Sequence, residues 1–494
     1  MEAVTQEFPT HHTPESLMQQ LWGEPGIALL HSALLDAKQS RYSFIGARPF
    51  VTFRSWGSRC EIRTAERVDL QFANPWHLME SLVSRYELLD EVDLPFPLGG
   101  CFGYWGYDLK NFVEPRLAHR AVNDLGIPDC CLGFYASLVV FDHLLNKTWV
   151  ISTGLKVDGS REAEQQRSDY EFWRLRLEAK TSNALSTWRL TDEARLKSGA
   201  VEHDVRAPIF GCARNCVSNQ TRSDFLHRVK RCQSYIRAGD IYQANLSHRL
   251  QIRWPSGGWE LFVALANVSP APFSAYLDLG EFQLVSSSPE LFLKLSGGQI
   301  LTRPIKGTRP RSSDATRDAQ LTYELQTSAK EMAELVMITD LLRNDLGKVC
   351  EFGSVQVPEL VRLERYSQVQ HLVSTVEGRL RSGVTHLAAL AACFPGGSVT
   401  GAPKFRAMEI IDELEPTTRG AYTGALGYLG FNRESQLSII IRTALCFEGM
   451  AYFHVGSGIV ADSLPSAEYE ETMAKARGFI EALHLARQTA HLAR

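Results

Sequence analysis

Hydrophobic and polar positions divide the chain into a strand-rich first part and a mixed second part. Residues 135–141 and 148–152 are rich in β-branched and aromatic side chains and flank a short polar connection, which predicts a β-hairpin. Residues 20–155 are therefore predicted to be an N-terminal region of strands and turns. From about Thr221 onward helical patterns alternate with strand runs, and we assign residues 215–490 to a second domain.

Three helices in the second part follow from apolar residues that recur every three or four positions. The first is predicted to have its N-cap at Ser223 and to end at Gly239. The second spans residues 329–345, and the third spans residues 464–487. Between the two parts, residues 156–206 are rich in charge and poor in apolar residues. They are predicted to be a linker or insertion that contains a surface helix over residues 160–180.

The composition is that of an ordinary globular protein. Among the 494 residues, 44% are hydrophobic and 22% are charged, and the formal net charge is −4. No block of like charges indicates nucleic-acid binding, and no apolar run reaches the ~20 residues that span a bilayer. The N-terminus lacks a secretory signal, so we expect a cytoplasmic protein without a membrane or nucleic-acid partner. The ten cysteines show no zinc-site spacing.

Two glycine-rich segments resemble catalytic motifs without completing them. Cys101 lies in a turn-like segment, residues 99–103, that could present a nucleophile. A glutaminase also needs a histidine two residues before a glutamate, and no histidine has that spacing. Residues 396–401 have the glycine spacing of a phosphate-binding loop. Ala402 stands where the lysine of that loop belongs, and Lys404 comes two residues later.

Acidic and basic side chains on two of the predicted helices suggest a site. Glu468, Glu471 and Lys475 are three and four residues apart and share one side of the last helix. A solvated face with an ordinary ion pair is the alternative interpretation. Glu334 lies near an apolar stripe, where a carboxylate usually has a cation beside it. Glutamates from two helices would suit Mg²⁺, which prefers oxygen ligands.

A basic segment and the strand before it offer further chemistry. Lys306 lies among Arg303, Arg309 and Arg311, which is either a basic surface loop or the environment of a nucleophile. In the second case the positive neighbours would disfavour the ammonium form and leave a free amine. Glu290, at the end of a strand, is a candidate general acid.

Taken together, these segments resemble one family, the chorismate-utilising enzymes related to anthranilate synthase component I. The resemblance covers nearly the whole chain, and residues 29–32 and 40–42 match the family's N-terminal region. It implies an α/β (α+β) fold of two facing, mainly antiparallel sheets with helices on the outside. Residues 215–490 would then be the chorismate-binding catalytic domain. The other matching segments are residues 239–246, 288–290, 303–308, 340–347 and 394–404, with Gly456 and Gly458.

The resemblance also implies roles for individual residues. The implied metal set, for Mg²⁺, is Glu334 and Glu471, with Glu468 beside them. The implied substrate-binding set is Tyr422 and Arg442 for the enolpyruvyl carboxylate, Lys475, Gly456 and Gly458 for the ring carboxylate, and Thr400. The implied catalytic set is Lys306, Glu290 as the acid that protonates the departing 4-hydroxyl, and His371 near that hydroxyl.

Two positions favour one branch of the family. Members that activate water carry a lysine base where this chain has Gln243, an amide that takes no proton at neutral pH. Anthranilate synthases usually carry alanine where this chain has Lys306. The pattern is like that of aminodeoxychorismate synthase component I, which forms 4-amino-4-deoxychorismate for 4-aminobenzoate and folate. Anthranilate synthase component I of tryptophan biosynthesis is the enzymatic alternative.

The family also suggests partners. Because the sequence shows no glutaminase cysteine–histidine pair, ammonia is expected from a separate glutamine amidotransferase subunit. Ser32, Pro270 and Phe273 resemble a tryptophan pocket of this family. A tryptophan-binding regulator on the same fold is therefore the non-enzymatic alternative.

Overall fold

The structure is a computed structural model that describes residues 2–34, 40–88, 94–180, 216–366 and 369–492. Its strands are β1 Val4–Glu7, β2 Ala28–His31, β3 Tyr42–Gly46, β4 Val51–Trp56, β5 Arg59–Arg63, β6 Val68–Phe72, β7 Gly100–Trp105, β8 Cys130–Tyr135, β9 Ser137–Asp142, β10 Lys147–Ser152, β11 Val217–Ser218, β12 Gln243–Arg253, β13 Phe273–Asp278, β14 Phe282–Ser288, β15 Leu291–Ser296, β16 Gln299–Arg303, β17 Ile305–Pro310, β18 Gln356–Arg365, β19 Val369–Arg379, β20 Gly401–Ala402, β21 Ala425–Gly430, β22 Glu434–Ile439, β23 Thr443–Phe447 and β24 Met450–Ile459. Its α-helices are α1 Pro14–Gln19, α2 Pro75–Arg85, α3 Lys110–Val113, α4 Ala163–Glu178, α5 Arg222–Arg237, α6 Gly258–Val268, α7 Ala315–Gln326, α8 Ala329–Gly347, α9 His386–Cys393, α10 Lys404–Leu414 and α11 Pro465–Leu492. Short 3₁₀ helices lie at Tyr107–Leu109 and Gly397–Val399.

Within these residues the strands form two twelve-stranded sheets. The first has the order β1-β10-β9-β3-β2-β13-β14-β23-β24-β12-β11, with β20 beside β12. The second has the order β17-β19-β16-β15-β22-β21-β7-β8-β4-β5-β6, with β18 beside β19. Each sheet joins strands from both sides of the charged segment. The domain boundaries at residues 155 and 215 remain predictions about the sequence.

The two sheets pack face to face, and helices cover the outside. Phe44 of the first sheet meets Tyr428 of the second with ring centroids 5.0 Å apart. On β9, Leu138 and Val140 join the core between the sheets, whereas Val139 joins the core beneath α4, α6 and α11. Because both faces of β9 are buried, its sequence is continuously apolar instead of alternating. The predicted fold class is confirmed.

The predicted local elements are mostly present. β9 and β10 pair antiparallel as the predicted hairpin. The N-cap of α5 is Thr221, so the prediction of Ser223 is wrong. Thr221 accepts a hydrogen bond from the Asp224 backbone N–H, and Asp224 accepts one from Thr221, which forms a capping box that satisfies two backbone donors.

The first half of the charged segment packs against the protein. The predicted surface helix is present as α4, and its Trp173 is fully buried, with the indole N–H donating to Ser137 Oγ at 3.0 Å. Residues 181–206 of the predicted linker lie outside the described residues, as does Cys212. Throughout the described part, cysteines are free thiols. No helix in it is long and apolar enough to cross a membrane.

Candidate active site

Glu290 and Lys306 meet at the backbone and side chain of Ser398. Lys306 Nζ donates to the Ser398 carbonyl oxygen at 3.4 Å, and the Ser398 side chain hydrogen-bonds the Glu290 carboxyl group. Burial raises the pKa of Glu290, although Ser398 and the charge of Lys306 oppose the rise. Glu290 therefore keeps its proton to a higher pH than an ordinary glutamate, as a general acid requires.

The charges that face Lys306 differ from those expected. The three arginines near it in sequence each pair with a carboxylate: Arg303 with Glu364 at 2.6 Å, Arg309 with Glu331 at 3.3 Å and Arg311 with Asp318 at 2.8 Å. Each of the three positive charges near Lys306 along the chain is therefore offset by a carboxylate. The groups on which the Lys306 charge acts are the carboxylates of Glu290, Glu334 and Glu471.

Glu334 on α8 and Glu471 on α11 bring two carboxylates to the site. Burial raises the pKa of Glu334; the charge of Lys306 opposes this, and the negative charge of Glu471 adds to it. No group of three histidine, cysteine or carboxylate side chains suited to a metal occurs in the described ranges. Two carboxylates nonetheless fit Mg²⁺, which usually binds few protein ligands and keeps water or substrate oxygens.

Both carboxylate oxygens of Glu468 are already hydrogen-bonded to serine side chains. One of its carboxylate oxygens accepts a hydrogen bond from Ser463 Oγ at 2.6 Å, and the other accepts one from Ser457 Oγ. The side chain is 4% exposed. Glu468 therefore holds the turn between β24 and α11, and we leave it out of the proposed metal set.

Lys475 and two glycines of β24 form one wall of the site. Lys475 Nζ lies 2.8 Å from Glu471 Oε1 and donates to the Gly456 carbonyl oxygen at 2.9 Å. A Cβ atom on Gly458 would lie 2.3 Å from Gln243 Nε2, and one on Gly456 would lie 2.8 Å from the Tyr422 hydroxyl. At Gly456 the Tyr422 hydroxyl and the Leu246 carbonyl oxygen leave little room for a side chain, whereas at Gly458 the Gln243 amide would have to move.

His371 and Arg442 lie at another part of the site. His371 Nδ1 is 2.7 Å from Thr308 Oγ1, and burial together with the charge of Arg442 lowers the pKa of His371 to about 4. The imidazole is therefore neutral at physiological pH. The Arg442 guanidinium has no carboxylate partner among the described residues, so it is available for an anionic substrate group.

The glycine-rich segment before α10 is held by its own contacts. Thr400 is fully buried, and its hydroxyl donates to the Gly396 carbonyl oxygen at 3.1 Å. Lys404 Nζ lies 2.5 Å from Asp345 Oδ2 and donates to the carbonyl oxygens of Cys393 and Pro395 at 2.9 Å. Lys404 therefore fixes the position of this segment and is not available to bind a phosphate group. The Thr400 hydroxyl likewise binds a backbone carbonyl oxygen of this segment and so helps to fix its position.

An ion pair that we did not predict lies behind this segment. Arg419 and Glu415 are 1% and 6% exposed, and Arg419 donates to both Glu415 carboxylate oxygens at 2.8 and 2.9 Å. Arg419 also donates to the carbonyl oxygens of Val399 and Asn245, at 3.1 and 2.6 Å. The sequence signal for this pair is its spacing, since Glu415 and Arg419 are four residues apart. Ser398 was not predicted as a site residue either, although it lies within the matching segment 394–404.

The remaining predicted residues lie apart from Lys306. Ser32 and Phe273 line a cavity of about 40 Å³ between the sheets, and Pro272 lines it where Pro270 was expected. Cys101 is buried on β7, and burial raises the pKa of its thiol to about 12. It is therefore a structural thiol.

Comparison with known proteins identifies the family. Residues 31–481 match the family described as chorismate binding enzyme. The chain belongs to this family. Anthranilate synthase component 1 of Thermus thermophilus is 39% identical over 475 residues, which cover 96% of each chain. Aminodeoxychorismate synthase component 1 of Klebsiella aerogenes is 38% identical over 471 residues, which cover 95% of this chain and 96% of the relative.

A solved family member has the same fold. The crystal structure of anthranilate synthase component I from Streptococcus pneumoniae TIGR4 matches with a TM-score of 0.75 and 28% identity, and the match covers 96% of this chain and 99% of that one. The family prediction is confirmed. Because relatives with both names match at similar identity, the choice between the two activities depends on the site itself.

We predict that Glu415→Gln destabilises the protein by about 3–5 kcal/mol, because it leaves the Arg419 charge buried without a counterion. Activity should fall with it, since Arg419 holds the backbone at Val399 and Asn245. Urea unfolding measures the first effect. The matched control is Glu413→Gln, two residues earlier in the last turn of α10. The ion pairs of Glu413 are partly exposed and 3.5–3.8 Å long, so this change should cost under about 1 kcal/mol. Equal stability of both variants would contradict the prediction.

Proposed function

We propose that the protein is an aminodeoxychorismate synthase component I that converts chorismate and ammonia to 4-amino-4-deoxychorismate. The observation that carries the proposal is the pairing of Lys306 with Glu290 at Ser398, which puts an amine beside a carboxyl group whose pKa is raised. Gln243 supports it, because an amide at this position provides no base to activate water.

In the proposed reaction Glu290 protonates the 4-hydroxyl of chorismate, which leaves as water. Lys306, which is charged in the free site, first gives a proton to solvent; the resulting amine supplies its electron pair to ring carbon C2 and gives a second proton to solvent, so the lysine becomes covalently attached. Ammonia then forms a bond at C4 and loses a proton, while the bond from C2 to the lysine nitrogen breaks; that nitrogen keeps the electron pair of the bond and takes up a proton, which regenerates the Lys306 amine. The neutral His371 lies on the side of Arg442 and can hydrogen-bond the departing hydroxyl.

Anionic groups of the substrate match the positive groups of the site. Arg442 and Tyr422 would hold the enolpyruvyl carboxylate, and Lys475 with the backbone at Gly456 and Gly458 would hold the ring carboxylate. Thr400 contributes through the backbone it supports.

Glu334 and Glu471 would hold Mg²⁺ as the cofactor. Bound there, the ion would supply positive charge to the ring carboxylate and offset two of the carboxylates that face Lys306. Both side chains come from helices on the outside of the sheets, and Glu471 is 51% exposed at the open side of the site.

Ammonia would come from a glutamine amidotransferase subunit, as the words component 1 in the names of the relatives suggest. We keep the cytoplasm as the predicted location. The anthranilate activity and the tryptophan-binding regulator are the competing functions, and product analysis distinguishes both from the proposal.

The deciding experiment incubates the purified protein with chorismate, Mg²⁺ and ammonium and identifies the product. We expect aminodeoxychorismate and, without ammonia, a Lys306 adduct with the mass of chorismate minus one water. Lys306→Arg keeps the charge without a nucleophilic amine, so it should lose the adduct and about a thousandfold or more of the activity. Lys294→Arg on β15 is the control. Anthranilate as the product, no product at all, or an active Lys306→Arg variant would each contradict the proposal.

The metal set predicts a separate result. Glu334→Gln and Glu471→Gln each remove one anionic ligand, so turnover should fall by about a hundredfold or more and calorimetry should show weaker Mg²⁺ binding. Glu470→Gln is the matched control, because Glu470 is 67% exposed and its ion pair with Arg222 is 3.7 Å long. Full wild-type activity in excess EDTA would exclude the metal from the reaction.

The pH dependence should show Glu290. Because burial raises its pKa, the proton-donating form persists below that raised pKa, and kcat/KM should fall as the pH rises through it. Glu290→Gln cannot transfer a proton, so it should lose about 10²–10⁴-fold in rate together with this alkaline limb. Chorismate binding by the variant serves as the control. A variant that keeps both rate and limb would show that Glu290 is not the acid.

A further inference from the structure

Asn245 lies on β12, two residues after Gln243, and its backbone is held from two directions. The backbone N–H donates to the Thr400 carbonyl oxygen at 2.8 Å, and the carbonyl oxygen accepts from Arg419 at 2.6 Å. The side chain therefore starts from a fixed position, as a group that recognises a ligand requires.

The amide nitrogen of Asn245 lies at the same glycine as the Tyr422 hydroxyl. A Cβ atom on Gly456 would lie 2.8 Å from the Tyr422 hydroxyl oxygen and 3.1 Å from Asn245 Nδ2. Both polar atoms thus lie against the bare backbone of one residue of β24. A single acceptor bound there can take hydrogen bonds from both side chains.

The Asn245 donor is buried without a protein acceptor. Nδ2 is shielded from solvent, and it forms no hydrogen bond of ordinary length and angle with any residue that the structure describes. Buried polar groups nearly always have a partner. A buried donor beside a proposed substrate site therefore indicates a group of the ligand.

The effect of Asn245 on Tyr422 indicates the charge of that group. Burial raises the pKa of Tyr422 to about 12, and the Asn245 side chain opposes this rise. An amide donor that favours an oxygen anion at the hydroxyl also favours a carboxylate oxygen next to it. Hydrogen bonds to an ionised acceptor are stronger than those between neutral groups.

Chorismate has two carboxylates, and the position of Tyr422 distinguishes between them. In the proposed function Tyr422 and Arg442 hold the enolpyruvyl carboxylate, whereas Lys475 holds the ring carboxylate. A donor next to the Tyr422 hydroxyl is placed for the first of these. The neutral amide adds a directed hydrogen bond there without adding charge.

We propose that Asn245 is a specificity-determining residue that donates from Nδ2 to the enolpyruvyl carboxylate of chorismate, beside Tyr422. The inference rests on the proposed function for the placement of the substrate. It holds for either product, because the aminodeoxychorismate and anthranilate reactions both start from chorismate.

The test uses two aromatic ligands that share the ring carboxylate and differ in the second one. The first, 3-(carboxymethoxy)benzoate, carries both carboxylates, and the second, 3-propoxybenzoate, carries only that of the ring. Asn245→Leu is similar in size and lacks the donor. In calorimetry with Mg²⁺ it should raise the Kd of the dicarboxylate about tenfold or more and that of 3-propoxybenzoate by less than about threefold. Gln251→Leu, farther along β12, is the control and should change neither Kd.

Asn245→Asp provides a second test if Asn245→Leu does not fold. It keeps the shape of the side chain but places a carboxylate against the second carboxylate of the ligand, and like charges repel. It should weaken binding of the dicarboxylate about tenfold more than binding of 3-propoxybenzoate.

An unchanged Kd for the dicarboxylate in Asn245→Leu would overturn the inference. An equal loss for both ligands would also overturn it, because Asn245 would then act on the ring carboxylate or on the position of β12. If wild type forms anthranilate while Asn245→Leu still separates the two ligands, the proposed function fails and the inference stands.

Discussion

The buried ion pair between Arg419 and Glu415 is the interaction on which the geometry of the site depends. Arg419 bonds the carbonyl oxygens of Val399 in the glycine-rich segment and of Asn245 on β12, and Glu415 accepts hydrogen bonds from the backbone and side chain of Ser247. A buried pair adds little net stability, but removing one partner leaves an unpaired charge in the core. The pair therefore fixes relative positions more than it increases stability.

Three parts of the site follow from these positions. The glycine-rich segment presents Ser398, which brings Glu290 and Lys306 together. Strand β12 presents Gln243 over Gly458 of its neighbour β24. The turn after Arg419 carries Tyr422, whose ring stacks on His454. Because these segments are far apart along the chain, an ion pair between distant residues has to align them.

The charged side chains of the site differ in whether they have a partner of opposite charge. The Lys306 charge acts on the carboxylates of Glu290, Glu334 and Glu471, whereas the three arginines near it along the chain each pair with another carboxylate. Arg442, in contrast, has no carboxylate partner in the described part of the chain and lies beside the neutral His371. Unpaired positive charge on one side and paired carboxylates on the other suit a dianionic substrate bound together with a divalent cation.

The sequence by itself determined the hairpin of β9 and β10, the long helices α5, α8 and α11, and the residues of the family motifs. The hairpin and the helices depend on the periodicity of neighbouring residues, which acts over a few positions, whereas the motif residues were found through their resemblance to the family. Only the tertiary structure decided that Glu468 is bound by Ser457 and Ser463, and that the arginines near Lys306 are paired. It alone revealed the Arg419–Glu415 pair and the cavity lined by Ser32 and Phe273. The physical reason is that the partner of a charge and the wall of a cavity come from segments distant along the chain, which only packing brings together.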